Sequence, residues 1–388
     1  MSATQVPPDV IKLIDRRRRS FLWSGNKESS AAKCLVAWTN VCTTKGLGGL
    51  GIRDLGTQNI CLLLNLIHRL HCAHSSAWAA WIRQRADIAN MRCDNLGHHW
   101  KLLRSLLPLY QAITTVQIED GCTTLFWTDV WNGDDALADR FPRLYSHCTR
   151  KDDTVQQAIA SNLHGAFVNR LSPHAHQELQ LLIGLIQQTT LSALPDKRLS
   201  PFSQSPDKLD TSTIYKLLKA RGQPNDPAST FIWKNAAPPR VELFIWLLSK
   251  GRIQCRSNQF RKRVVDSPNC LVCGAPDESP EHIIFNCPIA VQFWNALGMQ
   301  APQNNHTNHL HCIQKLPNCP DEQYSAFISL CCWQLWKRRN GVVFRNEHQS
   351  LRNLLLSCKA EAANWKARMP KAPPRQVGRK ITKHQHTS

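Results

Sequence analysis

The sequence predicts a mainly α fold: multi-helix domains, a small β-hairpin near residues 112–130 and a metal knuckle over residues 270–287. Three observations lead there. Apolar residues recur at helical spacing in stretch after stretch, as in Ile60, Leu63, Leu64 and Ile67. Strand-like alternation is confined to residues 114–118 and 123–127, on either side of the turn signal Glu119-Asp120-Gly121. Finally, Cys270, Cys273, His282 and Cys287 stand at C-x2-C-x8-H-x4-C, a spacing typical of zinc ligands.

Composition narrows the class. The 388 residues suffice for two or three domains. Forty-eight Lys and Arg against 28 Asp and Glu leave a formal charge of +20, which favours a polyanionic partner, the backbone of RNA or DNA above all. The first ten residues have no apolar core, and no run of 18 apolar residues occurs, so neither a secretion signal nor a membrane span is expected. The 16 cysteines are spread along a large chain, as in a protein of a reducing intracellular compartment, nuclear or cytoplasmic. A hydrophobic fraction of 42% with 13 Trp argues for a packed core rather than disorder.

From the N-terminus, Pro7-Pro8-Asp9 opens a helix over residues 10–23. Ile11, Ile14, Phe21 and Leu22 are its expected buried stripe, and Arg16, Arg17, Arg18 and Arg19 a candidate phosphate-contacting face. The glycine-rich run over residues 45–51 lacks the Gly-Lys-Ser/Thr ending of a phosphate loop and reads as a tight crossover before a helix. That helix covers residues 59–71, and helical patterns continue at 78–82 and 100–107. Beyond the predicted hairpin, Gly133-Asp134-Asp135 imitates a polymerase carboxylate pair, but no strand follows and no third carboxylate strand is in view, so a turn is expected. Residues 152–169 and 177–188 read as helices, and residues 201–207 as a loop at a domain boundary.

Helices are then expected at 213–220 and 241–249, the second opened by Pro239 and buried through Val241, Phe244, Ile245 and Leu248. Arg261, Lys262 and Arg263 lie just before the knuckle and are further candidate contacts to nucleic acid. Within it, Cys270, Cys273, His282 and Cys287 are the predicted zinc ligands. Gly274 supplies the freedom a Cys-x2-Cys turn needs, and Pro276, Pro280 and Pro288 exclude one long helix. Glu281 beside His282 is a candidate to orient it. Helices follow at 289–297 and 321–340. Between them His306, His309, His311 and Cys312 gather with no C-x2-C beside them, so spacing alone assigns no second metal. After Glu361 no acidic residue occurs, and the stretch reads as a basic disordered tail.

Several ordered patterns share one likeness. Phe21-Leu-Trp-Ser-Gly25, Trp38-x-x-Val41-Cys42, Gly48-Gly-Leu-Gly51-Ile, Asp54-Leu55 and Asn59 resemble the segment downstream of the polymerase core in plant LINE-type (non-LTR) retrotransposon reverse transcriptases. So do Phe126-Trp127-x-Asp129-x-Trp131 and Trp336-Lys-Arg-Arg-Asn340. Trp233, Pro238-Pro239, Phe244-x-Trp246, Arg263, the four zinc ligands, Glu278-Ser, Glu281 and Trp294 resemble the reverse transcriptase zinc-binding domain. The stretch 208–215 departs from it, lacking the expected Trp and Gly. The resemblance implies a C-terminal part of such a protein, without polymerase, endonuclease or ribonuclease H residues, that binds nucleic acid rather than catalyses. It could also serve as a protein-interaction module completing a separate polymerase subunit, or be a retroelement remnant. The implied organisation is a post-polymerase segment (1–110), a hairpin-and-helix region (111–200), the zinc-binding domain (201–298), a helical segment (299–360) and the basic tail (361–388).

Overall fold

A computed structural model describes residues 4–26, 34–72, 77–93, 98–220, 224–300, 306–315, 317 and 319–366. In chain order, α1 (Pro8–Ser24), α2 (Trp38–Val41), α3 (Leu55–His71), α4 (Ala77–Arg83) and α5 (His98–Gln111) precede the strand β1 (Thr115–Gln117). Next come α6 (Leu137–Arg140), α7 (Pro142–Ser146), α8 (Val155–Ala160) and α9 (Pro173–Gln188). Short strands β2 (Lys197–Leu199), β3 (Ser203–Ser205) and β4 (Lys208–Leu209) lead to α10 (Thr211–Ala220), α11 (Ala228–Trp233), α12 (Pro239–Ser249) and α13 (Arg256–Arg261). A π-helical turn (His282–Asn286), α14 (Pro288–Ala296), a 3-10 turn (Thr307–Cys312), α15 (Asp321–Arg345) and α16 (Leu351–Lys366) complete the described chain. The fold is mainly helical, as the periodicity predicts. None of the described helices is long and apolar enough to cross a membrane.

The chain divides into two compact units: residues 1–28, 42–44 and 51–223, and residues 29–41, 45–50 and 224–388. The first holds two apolar cores. In one, Leu63, Leu64, Ile67 and Leu70 of α3 meet Leu103, Leu107 and Tyr110 of α5, with Leu209, Ile214 and Tyr215. Because those last residues complete the core of α3, the boundaries drawn near 110 and 200 both fall inside this unit. Asp54 starts α3 by accepting the Thr57 N–H at 2.7 Å, which satisfies an N–H that the helix leaves unpaired. The other core gathers Phe126, Trp127, Trp131, Leu144, Val155 and Leu182.

Sequence reading needs correction at several points. The strand at 115–117 exists, but it pairs antiparallel with 197–199, and residues 123–127 form no strand. The cause is a pair of buried carboxylates. Asp196 accepts the N–H groups of Glu119 and Gly121, both at 2.9 Å, and the Thr124 hydroxyl at 2.7 Å. Asp129 holds the Arg198 guanidinium through two 2.8 Å contacts and accepts the Leu125 N–H at 2.7 Å. The 119–129 loop therefore wraps around the 196–198 segment instead of folding back on itself.

The helix expected over 152–169 is cut to α8. It opens with a Thr154/Gln157 capping box but ends where Asn162, Leu163 and Gly165 take left-handed backbone, which a helix cannot continue through. On α1 only Ser20 is buried, and Phe21 is 74% exposed, so the expected apolar stripe is not an internal one. Asp134 and Asp135 lie in an exposed bend, with Gly133 at φ +89°, and no side chain caps α6. At the other end α16 runs on past Glu361 to Lys366, because Trp365 is buried. The rest of the expected tail, residues 367–388, lies outside the described residues.

In the second unit the glycine run behaves as a crossover. Gly46 O accepts the Asp226 N–H at 2.8 Å and Gly48 O accepts Trp246 Nε1 at 2.9 Å. Gly48 has φ +77°, and a Cβ there would lie 2.2 Å from Asp226 Oδ2, so any other residue would strain the backbone and push the Asp226 carboxylate aside. Trp246 belongs to α12, whose Phe244 ring packs at 5.2 Å on Trp333 and 5.8 Å on Trp336 of α15. Arg339 of α15 reaches Glu278 beside the candidate site.

Candidate metal centre

The knuckle is built from two turns. In the first, Gly274 N–H donates to Cys270 O and Cys270 N–H to Ala275 O, both at 2.8 Å. Gly274 at φ +78° lets the chain reverse between them. The second is the π-turn, in which Cys287 N–H donates to His282 O at 2.7 Å. A bond from residue i+5 to i puts side chains five apart on one side, which is what the His-x4-Cys spacing requires. Pro288 then starts α14 where its missing N–H costs nothing. Trp294 locks that helix to the turn by donating Nε1–H to Ile284 O at 2.7 Å.

The ligating atoms of Cys270, Cys273, His282 and Cys287 all lie within 4.8 Å of one another, and Cys273 Sγ is 3.3 Å from His282 Nε2. Zinc at about 2.3 Å from sulfur and about 2.0 Å from nitrogen implies ligand–ligand edges of roughly 3.5–3.8 Å. Small side-chain rotations bring this set onto such a tetrahedron. The donor set, three thiolates and an imidazole, suits zinc over harder ions. Cys270, His282 and Cys287 are buried and Cys273 is the outermost. Hydrogen bonding with Cys287, and then burial, pushes the Cys270 thiol up to about 12. The same bond holds the Cys287 thiol below its ordinary value despite burial. Cys270 also raises His282, against the effect of burial. A metal binding here would displace the protons of these donors. When bound, zinc would be held by these four residues as a closed structural ion, joining the two turns.

The knuckle is also fixed from outside. Glu278 is fully buried; it accepts the Arg256 N–H at 2.9 Å and faces Arg339 of α15, with Arg339 Nε 3.1 Å from Oε1 and 3.2 Å from Oε2. Ser257 of α13 donates to Asp277. Glu281 does not orient His282. Its carboxylate accepts the Thr307 hydroxyl at 2.9 Å and the Thr307 N–H at 3.4 Å, tying down the 3-10 turn. The Glu278–Arg339 pair joins residues 61 apart, and neither periodicity nor spacing marks them as partners.

The predicted basic residues fall in different units. In the first, Arg16 and Arg17 are exposed, Arg19 is half-buried, and Arg18 is committed to Asp15 at 2.7 Å and to Arg53 O at 2.6 Å. In the second, Arg261, Lys262 and Arg263 are all exposed at the end of α13. Arg263 has φ +55°. Its N–H donates to Phe260 O at 2.8 Å and the Val264 N–H donates to Gln259 O at 3.0 Å. This paired closure of a helix normally places glycine where Arg263 stands.

Residues 210–294, which include all four ligands, match the family described as zinc-binding in reverse transcriptase. A protein of Arabidopsis thaliana whose name describes it as a ribonuclease H protein is 23% identical over 365 residues, covering 89% of this chain. The chain spans 58% of that relative's length. No solved structure matches significantly. The family match and the plant relative support a reverse transcriptase zinc-binding domain in this chain, with a Cys/His centre consistent with zinc.

Proposed function

We propose that this chain is the zinc-stapled, post-polymerase part of a LINE-type retroelement reverse transcriptase, and that it binds the backbone of RNA or DNA without catalysing a reaction. The observation that carries the reading is Arg263. A non-glycine residue in left-handed backbone costs on the order of 1 kcal/mol. Here that cost is borne by an exposed arginine beside Arg261 and Lys262, on a helix hydrogen-bonded to the knuckle through Arg256 and Ser257. A glycine would close the helix at lower cost, which supports a role for this exposed side chain outside the fold. A guanidinium presented on a metal-fixed support suits contact with phosphate, and the net charge of +20 favours the same partner.

The test is titration of duplex and single-stranded RNA and DNA at two salt concentrations. Each neutralised phosphate contributes a slope of about 0.9 in log K against log salt for duplex DNA and about 0.7 for single strands. Arg263→Gly is expected to raise thermal stability while lowering affinity and flattening the slope by about one contact. Salt-insensitive binding, or none at low salt, refutes the reading and favours a module that completes a separate polymerase subunit.

A second reading comes from the plant relative's name. Ribonuclease H activity would appear as cleavage of an RNA–DNA hybrid with Mg²⁺ or Mn²⁺. None is expected, and Asp134→Asn is expected to change nothing. The same assay with nucleotides added checks for template-dependent synthesis.

A further inference from the structure

The geometry points to a second zinc site on the 3-10 turn, formed by His309, His311 and Cys312 and separate from the knuckle. One ligand atom from each of the three lies within 4.8 Å of the others. In a 3-10 turn residues three apart eclipse, which puts His309 and Cys312 on one face. The chain is kinked at His309, where φ is −106° and ψ is 25°, and His311 reaches the same point.

The backbone beneath these side chains is fixed. Thr307, Leu310 and Ile313 are buried, whereas His309 and Cys312 are exposed and His311 is half-buried. Thr307 is held by Glu281, and Ile313 O accepts the Tyr324 hydroxyl. A metal arriving here meets donors that are already gathered, so little ordering opposes binding. His311 Nδ1 is closed off from water and has no hydrogen-bond partner. A buried nitrogen left so is unfavourable, and ligation through it would remove that penalty. Two imidazoles and one thiolate select a late first-row cation such as zinc over magnesium or calcium. With His309 and Cys312 exposed, the fourth position is left to water or to an outside donor, unlike the closed knuckle. This ion would be held more weakly and exchange faster.

The experiment is zinc content of the full chain after equilibrium dialysis against zinc buffered at nanomolar free concentration, with the average ligand set read by X-ray absorption. Two equivalents are expected, with sulfur per zinc averaging two rather than three, because three cysteines serve one ion and a single cysteine the other. His309→Ala combined with Cys312→Ser changes only exposed side chains, so the fold should persist. It is expected to bring the content to one equivalent and the sulfur average back to three. Cys273→Ser should remove the other equivalent independently. A single equivalent in the unaltered protein overturns the inference. So does a second equivalent that survives the His309/Cys312 substitution, which marks adventitious zinc elsewhere among the 16 histidines.

Discussion

Among the described residues, each unit buries an arginine against a carboxylate, and the two pairs do different work. Arg198 and Asp129 are buried in a unit with two apolar cores. There the pair selects which strands meet: it holds the 119–129 loop on the 196–198 segment and leaves the predicted hairpin unformed. Arg339 and Glu278 are equally buried, but Glu278 sits on a knuckle that also gathers the candidate metal ligands. In the first unit the ion pair refines a structure that apolar burial already sustains. In the second it fastens the candidate metal knuckle, whose Cys270, Cys273, His282 and Cys287 zinc would join when bound. A buried pair is weak support for stability by itself, and removing one partner is costly because the other charge is stranded.

The largest expected effect separates the units by metal dependence. Structural zinc contributes on the order of 10–16 kcal/mol to small zinc domains. Chelation, or Cys273→Ser, should expose the amides of residues 270–287 to rapid hydrogen exchange and leave those of α3 and α5 protected. Equal loss of protection in both units would break the contrast.

Next is Asp129→Ala, which strands Arg198 and should cost the first unit about 3–5 kcal/mol in urea unfolding. Amide protection in α12 and α15 is expected to stay, as is zinc content. Glu278→Gln should cost about 2–3 kcal/mol, because Arg339 keeps a hydrogen-bond acceptor but loses its counter-charge. Zinc stoichiometry should hold while knuckle exchange quickens; loss of zinc would mean that the pair creates the site rather than docking it.

The smallest effect is a helix cap. Burial works to raise the Asp54 carboxyl, but bonds from the Thr57 N–H and side chain, together with Lys219, hold it below its ordinary value. Its folded value thus lies below its unfolded one, near 3.9. The stabilisation is complete above that pH and is lost as pH falls through the folded value. Asp54→Ala should cost about 1 kcal/mol at neutral pH, and the deficit against the unaltered protein should shrink on acidification. A constant deficit would show that the side chain acts through packing rather than charge.

Periodicity and spacing determined much of this protein. The helical class, the face of α12 that carries Val241, Phe244, Ile245 and Leu248, and the crossover at Gly48 all follow from local rules. So does the candidate ligand set Cys270, Cys273, His282 and Cys287, which the fold brings together, because a metal demands particular donors at short, fixed intervals. The partner of β1 was decided only in three dimensions. Asp129 and Arg198, 69 residues apart, carry no mark of their pairing until the chain is folded, and neither do Glu278 and Arg339. The turn at Glu119-Asp120-Gly121 favoured a hairpin locally, but five hydrogen-bond donors converging on Asp196 outweighed it. Short-range preference is written in adjacent residues, whereas the satisfaction of a buried charge depends on which distant backbone reaches it first and best.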